Sequence, residues 1–254
     1  MEKFIIFNKT VEKEIESLFQ KSKETDELAY VFSLLGINSG IEDVGWQPIN
    51  ETAKLLEDFG SIANSPLEYH SKIRLLLQMY CQVTETSYIY HIIYNMLLTI
   101  DNQEPPRVFN FLNKYRGSIP PNVSIKLKLI KDLASAHKLN GLIDIFNKIY
   151  DSDIRNAVSH ADYILFENEF RLKHRGDKIK IIKLDEVYDL VNYAAIFFQT
   201  FFRITHKHKT SYKNGYVIGN RKGKSGNPLS SITLIVNKPG LLVGFQTSDP
   251  LPIW

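Results

Sequence analysis

The decapeptide Asp151-Ser152-Asp153-Ile154-Arg155-Asn156-Ala157-Val158-Ser159-His160 places an arginine, the asparagine after it and a histidine within two helical turns, just behind an acidic helix start. A guanidinium is a permanent cation whose planar fork grips phosphate in two places, and an imidazole moves its proton near neutral pH. Cleaving RNA without a metal needs a base for the ribose 2′-hydroxyl and a cation for the charge that builds on the phosphate. His160 can supply the first and Arg155 the second. Five positions apart on an ideal helix, the two side chains start about 140° apart, so the long Arg stem or a second copy of the site across a dimer must close the gap. Asp151 or Asp153 can cap the helix, which puts Arg155 in its first turn, where free amides and the positive end of the dipole would help to hold a phosphate. The same residues also admit a purely structural reading. In it Arg155 pairs with Asp151 or Asp153, Asn156 is a surface residue and His160 is a C-terminal cap.

Arg155-Asn156-x-x-x-His160, an R-x4-H pattern with a polar residue directly after the Arg, resembles the signature of HEPN domains, many of which are metal-independent ribonucleases of defence and toxin systems. The string RNAVSHADYI and the helix-rich stretch upstream carry the resemblance; the first hundred residues and the last fifty take no part in it. It implies a HEPN-like helical bundle and an endoribonuclease that cleaves by 2′-hydroxyl attack to leave a cyclic phosphate. It further implies RNA as substrate, no metal or other cofactor, a homodimer with a composite cleft, and an antitoxin or sensor protein as a further partner. Arg155 and His160 would be the catalytic pair, and Asn156 would orient the His or the phosphate. Two other readings use the same residues: a HEPN-like module that binds RNA or a partner protein without cutting, and an unrelated helical interaction protein. A second match to the spacing, Arg203 to His208, has Ile204 where the polar residue should stand. It sits at the ragged end of a helix in a basic run and is expected to take no part in chemistry.

The net charge of +3 hides an asymmetry. Residues 1–189 hold 23 Lys and Arg against 27 Asp and Glu, whereas residues 190–248 hold eight basic side chains and no acidic one. A one-signed segment studded with Tyr212, Tyr216 and Phe245 suits a nucleic-acid backbone, because neutralised phosphates release counterions. Lys207, Lys209, Arg221, Lys222 and Lys224, read as loop residues without acidic neighbours, are therefore expected to touch RNA; a merely solvated basic loop is the alternative. The segment Ile218-Gly219-Asn220-Arg221-Lys222-Gly223-Lys224-Ser225 is not a phosphate-cradling loop, since Ile218 stands where the first Gly is needed and Gly226-Asn227-Pro228 stops a helix. Cys81 has no partner for an internal disulfide and lies in an apolar helical stretch. No Cys pair or His-x-x-x-His spacing offers a metal site. The apolar runs are too short for a signal peptide or a bilayer span, so a cytoplasmic protein is expected.

Hydrophobic periodicity supplies the frame: a mainly α chain, α+β overall, with a small β-meander after the motif and a C-terminal β-hairpin. Two amphipathic helices are expected over 10–36, and a short one capped by Asn50. Ser65-Pro66-Leu67-Glu68 reads as the start of a long helix that breaks near Thr84 and resumes to Ile100. A short helical segment between Pro105-Pro106 and Pro120-Pro121 is followed by two helices from Ser124, hinged at Asn140-Gly141. Alternation over Tyr163–Phe166, Glu169–Lys173 and Lys178–Leu184 predicts the meander. Asp185 then caps a helix whose aromatic stripe reads as core or a dimer seam. The expected organisation is a HEPN-like domain over 1–205, with the meander at about 162–184, and a basic loop and hairpin tail over 206–254 packed on it.

Overall fold

The computed structural model describes residues 2–35, 48–102, 122–174, 178–218, 232–238 and 240–247. The expected helical segment between the two proline pairs, and Arg221, Lys222 and Lys224, lie outside the described residues. What is described is mainly helical with two small antiparallel sheets. Helices α1 (Glu2–Thr25), α2 (Glu27–Leu35), α3 (Pro48–Ala63), α4 (Tyr69–Thr84), α5 (Ser87–Ile100), α6 (Val123–Ala136), α7 (Asn140–Ile149) and α8 (Ser152–Ser159) precede the meander. The meander is β1 (Tyr163–Phe166), β2 (Glu169–His174) and β3 (Lys178–Lys183); α9 (Leu184–Thr210) leads to β4 (Val217–Ile218), β5 (Ile232–Val236) and β6 (Leu242–Thr247).

Helices α1 and α9 form the spine. On α1, Phe7, Val11, Ile15, Leu18, Phe19 and Ser22 are buried at spacings of three and four, one face of a helix. The aromatic stripe of α9 is core: Phe197, Phe198 and Phe201 are fully buried, with edge-on contacts from Phe146 to Phe197 and from Phe19 to Phe201. The two helices run parallel, as a ladder of polar contacts shows. Lys3 bonds Asp189, Thr200 donates to Asn8 at 2.6 Å, Arg203 to Glu12 at 3.2 Å and Lys207 to Glu16 at 2.7 Å. Residues of the tail, Tyr212, Ile218, Ile232, Leu234 and Leu242, belong to the same hydrophobic core. The expected boundary at 205/206 falls inside α9, which crosses it without a break.

Several helix starts differ from the sequence reading for a local reason. Glu68, not Ser65, caps α4: its carboxylate accepts from the amides of His70 and Ser71, whereas the Ser65 hydroxyl turns back to the Ile62 carbonyl. Asn50 lies inside α3, and α9 starts at Leu184 with no side-chain cap, Asp185 serving as an acidic residue of its first turn. The meander falls where alternation puts it, with Ile164 opposite Arg171 and Arg171 opposite Ile181. Phe170 and Leu172 point inward and are buried, while Ile164, Phe166, Ile179 and Ile181 face out.

Candidate functional site

Helix α8 is a short strut clamped at both ends. The Asp151 side chain caps it, accepting from the amides of Asp153 at 2.8 Å and Ile154 at 3.0 Å. The buried Tyr80 hydroxyl accepts from the Asp151 amide at 3.0 Å, tying the cap to α4. Ile154, Ala157 and Val158, spaced three and four apart, are the buried face. At the far end the Ala161 amide bonds the Val158 carbonyl and the Asp162 amide bonds the Ala157 carbonyl at 2.8 Å. This crossed pair requires a left-handed residue after the cap, and Ala161 takes that role at φ 57°. His160 is the C-cap itself, with an exposed side chain.

Between these clamps Arg155 turns toward the junction of α4 and α5. Its Nη2 meets Glu85 Oε1 in an ion pair, and its Nη1 donates to Asn156 Oδ1 at 2.9 Å. Its Nε is buried and lacks a hydrogen-bond acceptor among the described residues. Arg155 therefore does not pair with Asp151 or Asp153. Those carboxylates take Lys180 of β3 instead, at 3.9 Å and 2.8 Å, and the Asp153 bond raises the pKa of that ammonium. The expectation that the start of α8 would seat a phosphate is corrected by the same contacts, because its amides are spent on Asp151 and two carboxylates occupy the place. An anion would meet the Arg155 side chain, not the helix terminus.

Glu85 connects Arg155 to a second, buried cation. Lys126 of α6 is 4% exposed and donates to Ser87 Oγ at 2.6 Å; burial pushes its pKa down, and the field of Glu85 opposes that push. Burial, with Lys126 adding to it, also lowers His91 to about 4, so this imidazole is neutral. Cys81 lies behind Arg155, its thiol facing the Arg155 carbonyl at 3.7 Å, and burial pushes the thiol pKa up. Tyr80 and Lys126 had no distinguishing mark in the sequence, each belonging to an apolar helical stretch, and the one available signal was Glu85, an acidic residue at the break between two such stretches.

The remaining site residues are placed differently from the sequence reading. Lys207 and Lys209 are in α9, not in a loop, and Lys207 has an acidic neighbour in Glu16. Lys209 is half-buried, and this burial lowers its pKa. The second spacing match is structural. His208 bridges Tyr30 Oη at 2.6 Å and Glu16 at 2.8 Å, stands edge-on to Phe19 and is 14% exposed, while Arg203 is tied to Glu12. Among the described residues no group of three or more His, Cys, Asp or Glu side chains is placed to hold a metal ion, and no helix is long and apolar enough to cross a membrane. Comparison with protein-family models, with curated proteins and with solved structures finds no match.

Proposed function

We propose that this chain is a metal-independent RNA endoribonuclease of HEPN type, acting in the cytoplasm in a defence or toxin setting. The observation that carries the reading is the pairing on one strut of an exposed imidazole, His160, with a guanidinium held by Glu85 and Asn156 that keeps an unused Nε donor. In the reaction the His160 ring takes the proton of a ribose 2′-hydroxyl, whose oxygen attacks the adjacent phosphorus. Arg155 bears the charge on the phosphoryl oxygens, and the P–O5′ bond breaks as the 5′-oxygen takes a proton from water, giving a 2′,3′-cyclic phosphate and a 5′-hydroxyl while the protonated His160 returns its proton to solvent. Asn156 supports the Arg155 guanidinium and does not react. Because the two groups diverge around α8, the cleft is completed by a second copy of the chain.

Incubation with RNA in EDTA, followed by mass spectrometry of the ends, tests the proposal. Cyclic-phosphate ends are expected from the parent and none from His160→Ala or Arg155→Ala. Equal cleavage by His160→Ala and parent would remove the catalytic reading. Mixing the two inactive variants is expected to restore part of the activity in mixed dimers; a chain that is monomeric in sedimentation and fully active would exclude the shared cleft. An RNA- or protein-binding module without cleavage is the competing reading, and the absence of cyclic-phosphate ends at every RNA tested would favour it.

A further inference from the structure

Two cations gather near Glu85, and it pairs with one of them. Glu85 is the C-cap of α4, where a carboxylate faces the negative end of the helix dipole and gains from a nearby cation. Arg155 supplies that cation through Nη2. The other, Lys126, comes from α6 and donates at 2.6 Å to the hydroxyl of Ser87, the first residue of α5 and two positions beyond Glu85. Ser87 Oγ in turn faces the Glu85 carbonyl at 3.5 Å, so the ammonium is held at the same junction of α4 and α5. Lys126 is 4% exposed, and among the described residues this neutral hydroxyl is its one bond. A buried ammonium without a carboxylate is costly, and the field of Glu85, which raises the Lys126 pKa against burial, is the relief at hand. Within the ion pair the Glu85 side chain is 40% exposed and that of Arg155 24%, so the carboxylate has the freer room to move.

We propose that the Arg155 site takes up phosphate by exchange: an RNA phosphodiester displaces the Glu85 carboxylate from the guanidinium, and the carboxylate turns to the Lys126 ammonium. Glu85 is then a positioning residue that keeps Arg155 aligned and masked in the free protein, and Lys126 is the receiver that keeps the displaced charge from being stranded. Arg155, Lys126 and Glu85 together carry one surplus positive charge, which a phosphodiester monoanion cancels. The guanidinium is arranged for the change. Its Nε has no acceptor among the described residues, so once Glu85 leaves Nη2 the Nε–Nη2 edge is a two-donor fork for phosphate, while Nη1 stays on Asn156 Oδ1. A Glu85 that stayed on Arg155 throughout would leave Nη2 occupied and the buried ammonium unpaired. The proposal rests on the reading of Arg155 as the cation that receives the RNA phosphate.

The test follows the anisotropy of a fluorescein-labelled single-stranded RNA 12-mer on the full chain carrying His160→Ala, so that RNA is bound and not cut. Glu85→Gln keeps the length of the side chain and removes its charge; it is expected to tighten binding about fivefold, the worth of a part-exposed ion pair. With Arg155→Ala already present, the same substitution should change binding by less than about twofold. An equal gain in both backgrounds would mean a general loss of negative charge and overturns the proposal. Lys126→Met removes the receiver and is expected to weaken binding severalfold, and adding Glu85→Gln to it should restore the affinity of Glu85→Gln alone. Should Lys126→Met melt below the assay temperature, the cycle of Glu85 and Arg155 decides by itself. With His160 in place, Glu85→Gln should lower KM about fivefold and leave kcat within about twofold; a lower kcat at unchanged KM would show a fixed support and overturns the exchange. Unchanged binding on Glu85→Gln, or no binding at low salt with either residue, overturns it too. Failure of the catalytic reading is separately visible: Glu85→Gln would tighten binding through Arg155 while no variant leaves cyclic-phosphate ends.

Discussion

His208→Ala and His160→Ala separate the two matching Arg-to-His spacings, because the structure gives them opposite burdens. His208 is wedged between the Tyr30 hydroxyl, the Glu16 carboxylate and the Phe19 ring. Tyr30 is fully buried, so truncating His208 leaves its hydroxyl without a partner, a loss of ~1–3 kcal/mol. Removing the edge-on ring contact adds about 1 kcal/mol. Glu16 keeps Lys207 and contributes little further. A total of about 2–4 kcal/mol, at roughly 2–4 °C per kcal/mol for a chain of this size, lowers Tm by about 4–16 °C. RNA cleavage measured well below that Tm should be unchanged. His160 is exposed at the end of α8, and its truncation should cost less than ~0.5 kcal/mol, leaving Tm within about 2 °C, while cleavage disappears. Differential scanning fluorimetry beside a gel assay for RNA fragments reads both. A His208 variant that melts like the parent but no longer cuts, next to an active His160 variant, would show that the catalytic pair is Arg203 and His208 and that the burial argument fails.

Tyr80→Phe strands the Asp151 amide and is expected to cost ~1–3 kcal/mol, with faster hydrogen exchange at the start of α8 and a severalfold lower kcat as Arg155 loosens. Ala161→Gly relieves the left-handed backbone at φ 57° and should raise Tm by about 1–3 °C, a gain of ~0.5–1 kcal/mol; a lower Tm would mean that the left-handed turn carries no strain. Burial opposes ionisation of Glu16, but its hydrogen bonds from Lys207 and His208 outweigh that and depress its pKa. A depressed carboxylate contributes stability above its unfolded pKa that is lost as pH falls through the folded one. Glu16→Gln should therefore flatten the acid-side fall of stability below the ordinary Glu range; an unchanged slope in acid-titration melts would remove this linkage.

The motif helix, an acidic cap at Asp151 or Asp153 and the three meander strands were legible in the chain because each rests on a short-range rule; the structure chose Asp151. A carboxylate can reach amides two and three residues ahead, and a period of two selects one sheet face. The hairpin of β5 and β6 and the break between α4 and α5 were legible on the same grounds. The periodicity over 10–36 and that of α9 showed apolar faces, but not that α1 reaches back to Glu2, that α1 and α9 lie parallel, or that Glu12 and Glu16 would take up Arg203, Lys207 and His208. That pairing joins residues some 190 positions apart, and no local pattern encodes it. Arg203 and Lys207 looked free because their neighbours in sequence are not acidic; in space they face Glu12 and Glu16. The same reason hid the partner of Arg155. Charge pairing depends on distance through space, and only the docking of α8 on α4 decided that Glu85, and not Asp151 or Asp153, would face the guanidinium.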